Sequence, residues 1–470
     1  MAQRYGLSWI LMLLCVPLVA SAANALWVKD GIPVGSAVNE QTNPCIVPDG
    51  AGGAMIIWQD GRNGETDIYG NRVGANGFAY AGSGGLPICS AADDQYMGGA
   101  AADGNGAVIV VWTDYRGGTM QLYAQKIDTT GSIHWTADGI NICLFALYPS
   151  DPVIVADGTG GAIITWFDFR NGNNDIYAQR VAGNGTLLWG DAGRPVCTVA
   201  GEQMYPQIAP DRWGGAIIAW QDGRSGTEIY AQRLDHDGVM LWDTAGVAVR
   251  GDVGGGAQRI QIVTNNGGEP YIAWEDQRSG YDDVYVQYLD LNGVPVWPAD
   301  GVSVCDDLGY YYSKYYPQVV SDDLGGAIVA WWDLRTEEEA HVYGQRITWD
   351  GTRAWGSMGK VLIRAYGLEG PFSMISDGAG GAILGVDLYP DESTLLDIYA
   401  QKVDINGNLL WGSRGAPVST AESYQYSAKL IHDGFGGLLF AWEDYRPDDI
   451  SSDIYCQRLS ASGLWGNPEP

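Results

Sequence analysis

The groups best suited to chemistry in this sequence come as a phrase, Trp-x-Asp-x-Arg, followed a few residues later by Asp-Ile-Tyr-x-Gln-Arg or a close variant. Asp60, Arg62, Asp67 and Arg72 form one such set, and Asp168, Arg170, Asp175 and Arg180 form another. Read alone, a set offers two carboxylates and two guanidiniums for a ligand, an ion or an acid–base reaction. The arginine recurs at Arg62, Arg116, Arg170, Arg224, Arg278, Arg335 and Arg446, always two residues after an Asp. An enzyme needs one site, whereas a staple is needed in every repeat. The phrase therefore reads as structural, its opposite charges pairing because partly buried charges require partners.

Other routes to chemistry find little support. His134, His236, His341 and His432 are scattered without zinc-ligand spacing. Loops such as Asp103-Gly104-Asn105-Gly106 offer one carboxylate each, while calcium takes about 6–8 oxygens. There is no Gly-x-Ser-x-Gly elbow and no phosphate-cradling Gly-Lys-Ser/Thr loop. The expectation is no cofactor, no metal site and no assigned catalytic residue.

Function is then sought where the repetition fails. Ahead of Trp331 lies a lengthened segment, 306–316, carrying Tyr310, Tyr311, Tyr312, Tyr315 and Tyr316. Glu337, Glu338, Glu339 and His341 follow. Where the next Trp-x-Asp-x-Arg belongs, the chain reads Val386-Asp387-Leu388-Tyr389-Pro390-Asp391-Glu392. The eighth unit lengthens the same connection through 447–453. Tyrosines join a flat apolar body to a hydrogen-bonding tip and suit sugar rings or protein surfaces. The ligand-binding candidates are thus Tyr310, Tyr311, Tyr312, Tyr315, Tyr316, Asp387, Asp391 and Glu392.

The elements that must position these residues follow from the period. The anchor Trp stands at Trp58, Trp112, Trp166, Trp220 and Trp274, each 54 residues after the last, then at Trp331 and Trp442 with Val386 between them. In the unit that contains Gly214–Trp242, a short segment, Tyr205–Ala209, leads through a glycine turn into Ala216–Trp220. That run is apolar without alternation, as in a strand buried on both faces. Ile229–Leu234 gives a third strand, and a turn at Gly238 leads to a fourth carrying Trp242 and Val247. Four strands repeated eight times predict an all-β, eight-bladed β-propeller of four-stranded antiparallel blades. Residues 24–470 form this single domain.

The segment Leu26-Trp27 to Val34 matches the fourth-strand segment Leu188-Trp189 to Val196. It is expected to complete the last blade and close the ring, removing an open edge, with Gly463-Leu464-Trp465 as a competitor. In such a blade the loop between strands two and three opens on the same face as the crossover between blades. The irregular segments therefore fall on one face of blades 6–8.

Arg4, the apolar stretch Ile10–Val19 and Ala20-Ser21-Ala22 read as a signal peptide over 1–23. The apolar run is broken by Pro17 and too short to span a bilayer, and Leu14 before Cys15 disfavours a lipid anchor. A net charge of −30 repels nucleic acid and anionic membranes. Seven cysteines leave six after cleavage, and Cys89, Cys143, Cys197 and Cys305 share one repeat position. Equivalent positions in adjacent repeats lie too far apart for a disulfide, so these four read as small buried residues.

Hairpins such as Asp128 with Gly131 and Trp135, Asp235 with Gly238 and Trp242, and Asp404 with Gly407 and Trp411 resemble the Asp-box of bacterial secreted propellers related to the sialidase (BNR-repeat) group. The spacing to Trp is one residue longer and the leading hydroxyl residue is missing. The resemblance implies a propeller fold. Sialidase activity would require three converging arginines, a Tyr–Glu nucleophile pair and an acid, roles that copies of one repeat position do not fill. The expectation is a secreted, extracellular, periplasmic or surface-bound binding or scaffold module recognising a glycan or a cell-surface protein, with oligomeric state open. The alternative is a sialidase- or glycosidase-like hydrolase using Asp387, Asp391 or Glu392, since paired carboxylates about 5–10 Å apart hydrolyse glycosides.

Overall fold

The computed structural model describes residues 27–251, 253–306, 313–336, 339–368, 370–392, 394–446 and 450–466. The segment read as a leader, 1–23, lies outside the described residues. Eight antiparallel sheets form the ring. Blade 4 is representative, with strands Gln203–Pro210, Ala216–Asp222, Glu228–Leu234 and Val247–Arg250 in spatial order. The first strand of each blade packs against the first strands of its neighbours, so these eight strands surround the central channel.

The apolar second strand is buried as expected, Ala216 to Trp220 being inaccessible to solvent. Its residues feed the clusters that fill the spaces between adjacent blades, such as Ile218 and Trp220 against Ile163, Ile176 and Trp189. Trp242 lies outside the fourth strand. Met240 makes one bridge to Leu234, then Gly246 turns the chain at φ 78° before Val247 resumes pairing. A Cβ on Gly246 would stand 2.7 Å from the Trp220 ring, so only glycine permits that turn beside the anchor.

The Asp–Arg phrase is a staple, with partners closer than a cross-strand pairing. Asp222 accepts hydrogen bonds from Trp220 Nε1 (2.8 Å), from the Arg224 backbone N–H and from the guanidinium. Arg224 stacks over Tyr230 of the third strand at 3.6 Å and donates to the Ala245 carbonyl. It also reaches the Cys197 thiol of the preceding blade at 3.5 Å. One guanidinium thus joins three parts of its own blade to its neighbour. The same stacking recurs in seven blades at 3.6–4.1 Å. In blade 5, burial pushes the Asp276 carboxyl up, but hydrogen bonds from Arg278 and Trp274 outweigh it and hold the group below the usual carboxylate range. The second arginine instead clamps the turn between strands one and two, as in Arg72–Asp49 (2.8 Å) and Arg180–Asp157 (2.8 Å). The described cysteines are all free thiols.

The ring is closed as the sequence anticipates. Ile32–Gly35 pairs with Asp453–Leu459 as the outer strand of blade 8. Trp27 donates to the Ala75 carbonyl at 3.0 Å, as Trp189 does to His236 at 3.2 Å. The competing segment stops short: Trp465 bridges back to Leu459, forming the hairpin that the other blades also make.

Blade 7 departs most. Its inner strand is split into Gly367–Leu368 and Ser373–Ser376, both paired to Ala382–Tyr389. Gly370 at φ 65° and Pro371, which lacks a donor, fall in the break.

Candidate functional site

Seven of the eight inner strands change register with their second strand near the third residue. The residue at that bulge has positive φ in six blades: Asn43, Asp151, Tyr205, Arg259, Tyr316 and Ser427, all between 49° and 60°. A bulge re-aims one side chain. Here it supplies six blades with one variable residue each at the channel mouth, on the face where the blade crossovers and second-to-third loops open.

Three consecutive blades place Tyr205, Arg259 and Tyr316 in this slot. Two residues further on, the same blades carry Gln207, Gln261 and Gln318. All six line one concavity of about 460 Å³. The remaining blades carry Cys45, Gly99, Val153, Ser373 and Lys429 at the second position, so the three carboxamides mark an arc confined to blades 4–6.

The arc is held from beneath by Glu275, which has no solvent exposure. Its Oε1 accepts the Tyr316 backbone N–H at 2.7 Å. Its Oε2 accepts Gln258 Nε2 at 2.9 Å and Arg259 Nη1 at 2.7 Å. Burial pushes this carboxyl up, against the pull of those donors and the Arg259 charge. Arg259 remains 41% exposed and lies over the Tyr316 ring at 4.5 Å. Tyr316 in turn meets Trp332 edge-on at 4.9 Å, and Tyr205 meets Phe167 edge-on at 5.8 Å. Both aromatic walls are therefore fixed by neighbours before any ligand arrives. The arrangement brings apolar faces, several carboxamides and one cation together in one concavity.

The sequence candidates fall in different places. Tyr310, Tyr311 and Tyr312 lie outside the described residues. Tyr316 lines the cavity, whereas Tyr315 is half-buried against the core between blades 6 and 7. Asp387 is 5% exposed and accepts the backbone N–H groups of Ser427 (2.6 Å) and Ala428 (3.3 Å) in blade 8. Burial drives its carboxyl up to about 7. Asp391 and Glu392 are exposed on the loop beyond, and none of these three acids lines the concavity. The contributions of Tyr205, Arg259 and the glutamines were missed. Aligning the residue before Pro206 and Pro317 with its counterparts in the other repeats would have brought Tyr205, Arg259 and Tyr316 to one position, and the three glutamines to another two residues on. Among the described residues, no group of three His, Cys, Asp or Glu side chains is placed to hold a metal ion.

The fold and the channel mouth define a class: a closed eight-bladed propeller with a polar–aromatic concavity over blades 4–6. No family model matches the chain, and no curated protein matches it. Among solved structures it is similar to puromycin hydrolase, at 14% identity and a TM-score of 0.48, covering 92% of this chain and 63% of that one. A Hadza microbial sialidase gives 14% identity and a TM-score of 0.37, covering 72% and 73%. A polysaccharide lyase described as an ulvan lyase gives 11% identity and a TM-score of 0.43, covering 81% and 96%. This chain spans less than two thirds of the length of the puromycin hydrolase, and the likenesses concern propeller architecture alone.

Proposed function

We propose that this protein is a secreted, non-catalytic binding module that holds a saccharide chain across the channel mouth over blades 4–6. The observation that carries this reading is the arc Tyr205–Arg259–Tyr316 above Gln207–Gln261–Gln318 in one concavity. Each carboxamide offers two donors and an acceptor, matching the mixed donor and acceptor character of sugar hydroxyls. Tyrosine faces accept the C–H face of a sugar ring while their hydroxyls stay hydrated. The walls are already packed in place, so binding orders few side chains and more of the contact energy appears as affinity. An extracellular or surface location belongs to the same reading, since the leader and the −30 charge suit a soluble exported scaffold.

A glycan array followed by calorimetry tests this. Tyr316→Ala is expected to weaken the best saccharide about tenfold through the lost aromatic face, with intact saccharide recovered after incubation. Binding that survives both Tyr316→Ala and Gln261→Ala, or release of cleaved product, overturns the reading.

A further inference from the structure

Beside the saccharide concavity lies a second of about 440 Å³, lined by Tyr96, Met97, Thr113, Asp151, Tyr205 and Gln207 among others. Tyr205 and Gln207 belong to both, so the two are adjoining compartments of one channel mouth. The second contains no arginine, lysine or histidine. Its charged group is Asp151, held at the bulge with φ 49°.

Asp151 is exposed at the channel mouth and differs from the buried acids of the ring. Asp222 and Glu275 are met by an arginine and further donors, and Asp387 by two backbone N–H groups. Among the described residues no ion pair or hydrogen bond reaches the Asp151 carboxylate. Its carboxyl is raised by burial with no neighbouring charge or donor to offset it. The side chain is open to water in the channel while protein surrounds it on several sides. Two tyrosines line the same compartment, both held by neighbours: Tyr96 packs edge-on against Tyr115 at 5.8 Å and donates to Asp94 at 3.2 Å, while Tyr205 rests on Phe167.

A carboxylate without a partner in a compartment lined by tyrosines and free of basic residues suits a cation of organic size. The carboxylate supplies the charge and the ring faces add cation–π attraction. A hydrated divalent metal is a poor match, because one carboxylate with tyrosines leaves most of its oxygen sites unfilled. We infer that the Tyr96–Asp151–Tyr205 compartment binds a protonated amino group carried by the saccharide seated over blades 4–6, so that the ligand is an amino sugar with a free amine. This rests on the saccharide reading above. Tyr205, shared by both compartments, would stack the ring whose amine turns towards Asp151.

The test is calorimetry with oligomers of β-1,4-linked glucosamine, their fully N-acetylated counterparts and the corresponding neutral glucose oligomers. Wild type, Asp151→Asn and Tyr316→Ala proteins are compared at one salt concentration near neutral pH. The free-amine oligomer should bind wild type about tenfold tighter than the acetylated one, the combined effect of an ion pair and a cation–π contact. Asp151→Asn should reduce that preference to less than about twofold while leaving the acetylated and neutral oligomers unchanged. Equal binding of amine and acetylated forms by wild type, or a preference that survives Asp151→Asn, overturns the amine site. In those cases binding that remains sensitive to Tyr316→Ala leaves the saccharide reading standing. If no saccharide binds wild type, the saccharide reading and the amine site fall together.

Discussion

Blades 4 and 7 have second and third strands in the same register and are fastened by different means. In blade 4, Trp220 and Tyr230 stand opposite each other, Asp222 faces Glu228, and Arg224 crosses the strands and reaches blade 3. In blade 7, Val386 stands opposite Tyr399 and Leu388 opposite Asp397. Pro390 occupies the arginine position. The Asp in the written phrase has moved by one residue, and because side chains alternate along a strand, Asp387 faces the other way. It takes the position of Glu275 and Glu443, whose carboxylates accept a backbone N–H from the inner strand of the following blade. A single-residue displacement has exchanged a link to the previous blade for a link to the next. The ring therefore tolerates either fastening, provided each blade is tied somewhere.

Three measurements press on this contrast. Asp222→Ala removes a fully buried carboxylate and strands both Trp220 Nε1–H and Arg224, so denaturant unfolding should report a loss of about 3–5 kcal/mol. A loss below about 1 kcal/mol would mean that the phrase is ornament rather than a staple. Asp387 gives the next effect. Its carboxyl is raised by burial to about 7 in the folded protein from an ordinary unfolded value near 4. The folded state then holds the extra proton, and stability present at about pH 4 declines as pH rises through 7, by about 4 kcal/mol. Asp387→Asn should flatten that slope, as thermal melts across the window would record; an unchanged slope places the titration elsewhere. The smallest effect is a coupling. Leu388→Asp alone buries an unpartnered carboxylate, and adding Pro390→Arg rebuilds the blade 4 pair. A double-mutant cycle should return a favourable coupling of about 2 kcal/mol, whereas none would show that the pair works only beneath a Trp.

The sequence disclosed the ring and its closure because those depend on what repeats. A 54-residue period, a glycine turn and an unalternated apolar run survive comparison of the copies with one another. The channel mouth was harder to see because it depends on what varies at a single slot. Loop length and the broken phrase drew attention to blades 6–8, and Tyr316 was caught because it ends a conspicuous tyrosine run. Arg259 sits in a blade of ordinary length, and nothing local distinguishes it from an exposed arginine. Its importance comes from a bulge that aims it between Tyr205 and Tyr316, and from Glu275, which reaches it from the neighbouring strand. Asp387 shows the converse. An acid where a motif fails invites a catalytic reading, yet register alone sets its direction, and a one-residue slip is invisible without the opposing strand.

The closure at blade 8 also sets an order of events. Ser36 hydrogen-bonds Asp453 across 417 residues, and Val28 accepts from Gln457 across 429. The other blades assemble from strands drawn from one stretch of chain, so most contacts are local and should form quickly. Only the final pairing must bring together segments this distant, and its entropic cost grows slowly with length. Until that encounter the growing arc has one unpaired strand edge on blade 8 and an uncovered face on blade 1, where Trp27 will sit. Refolding should therefore show a slow, late phase carried by the Trp27 environment, and proteins caught before it are the ones prone to join edge to edge.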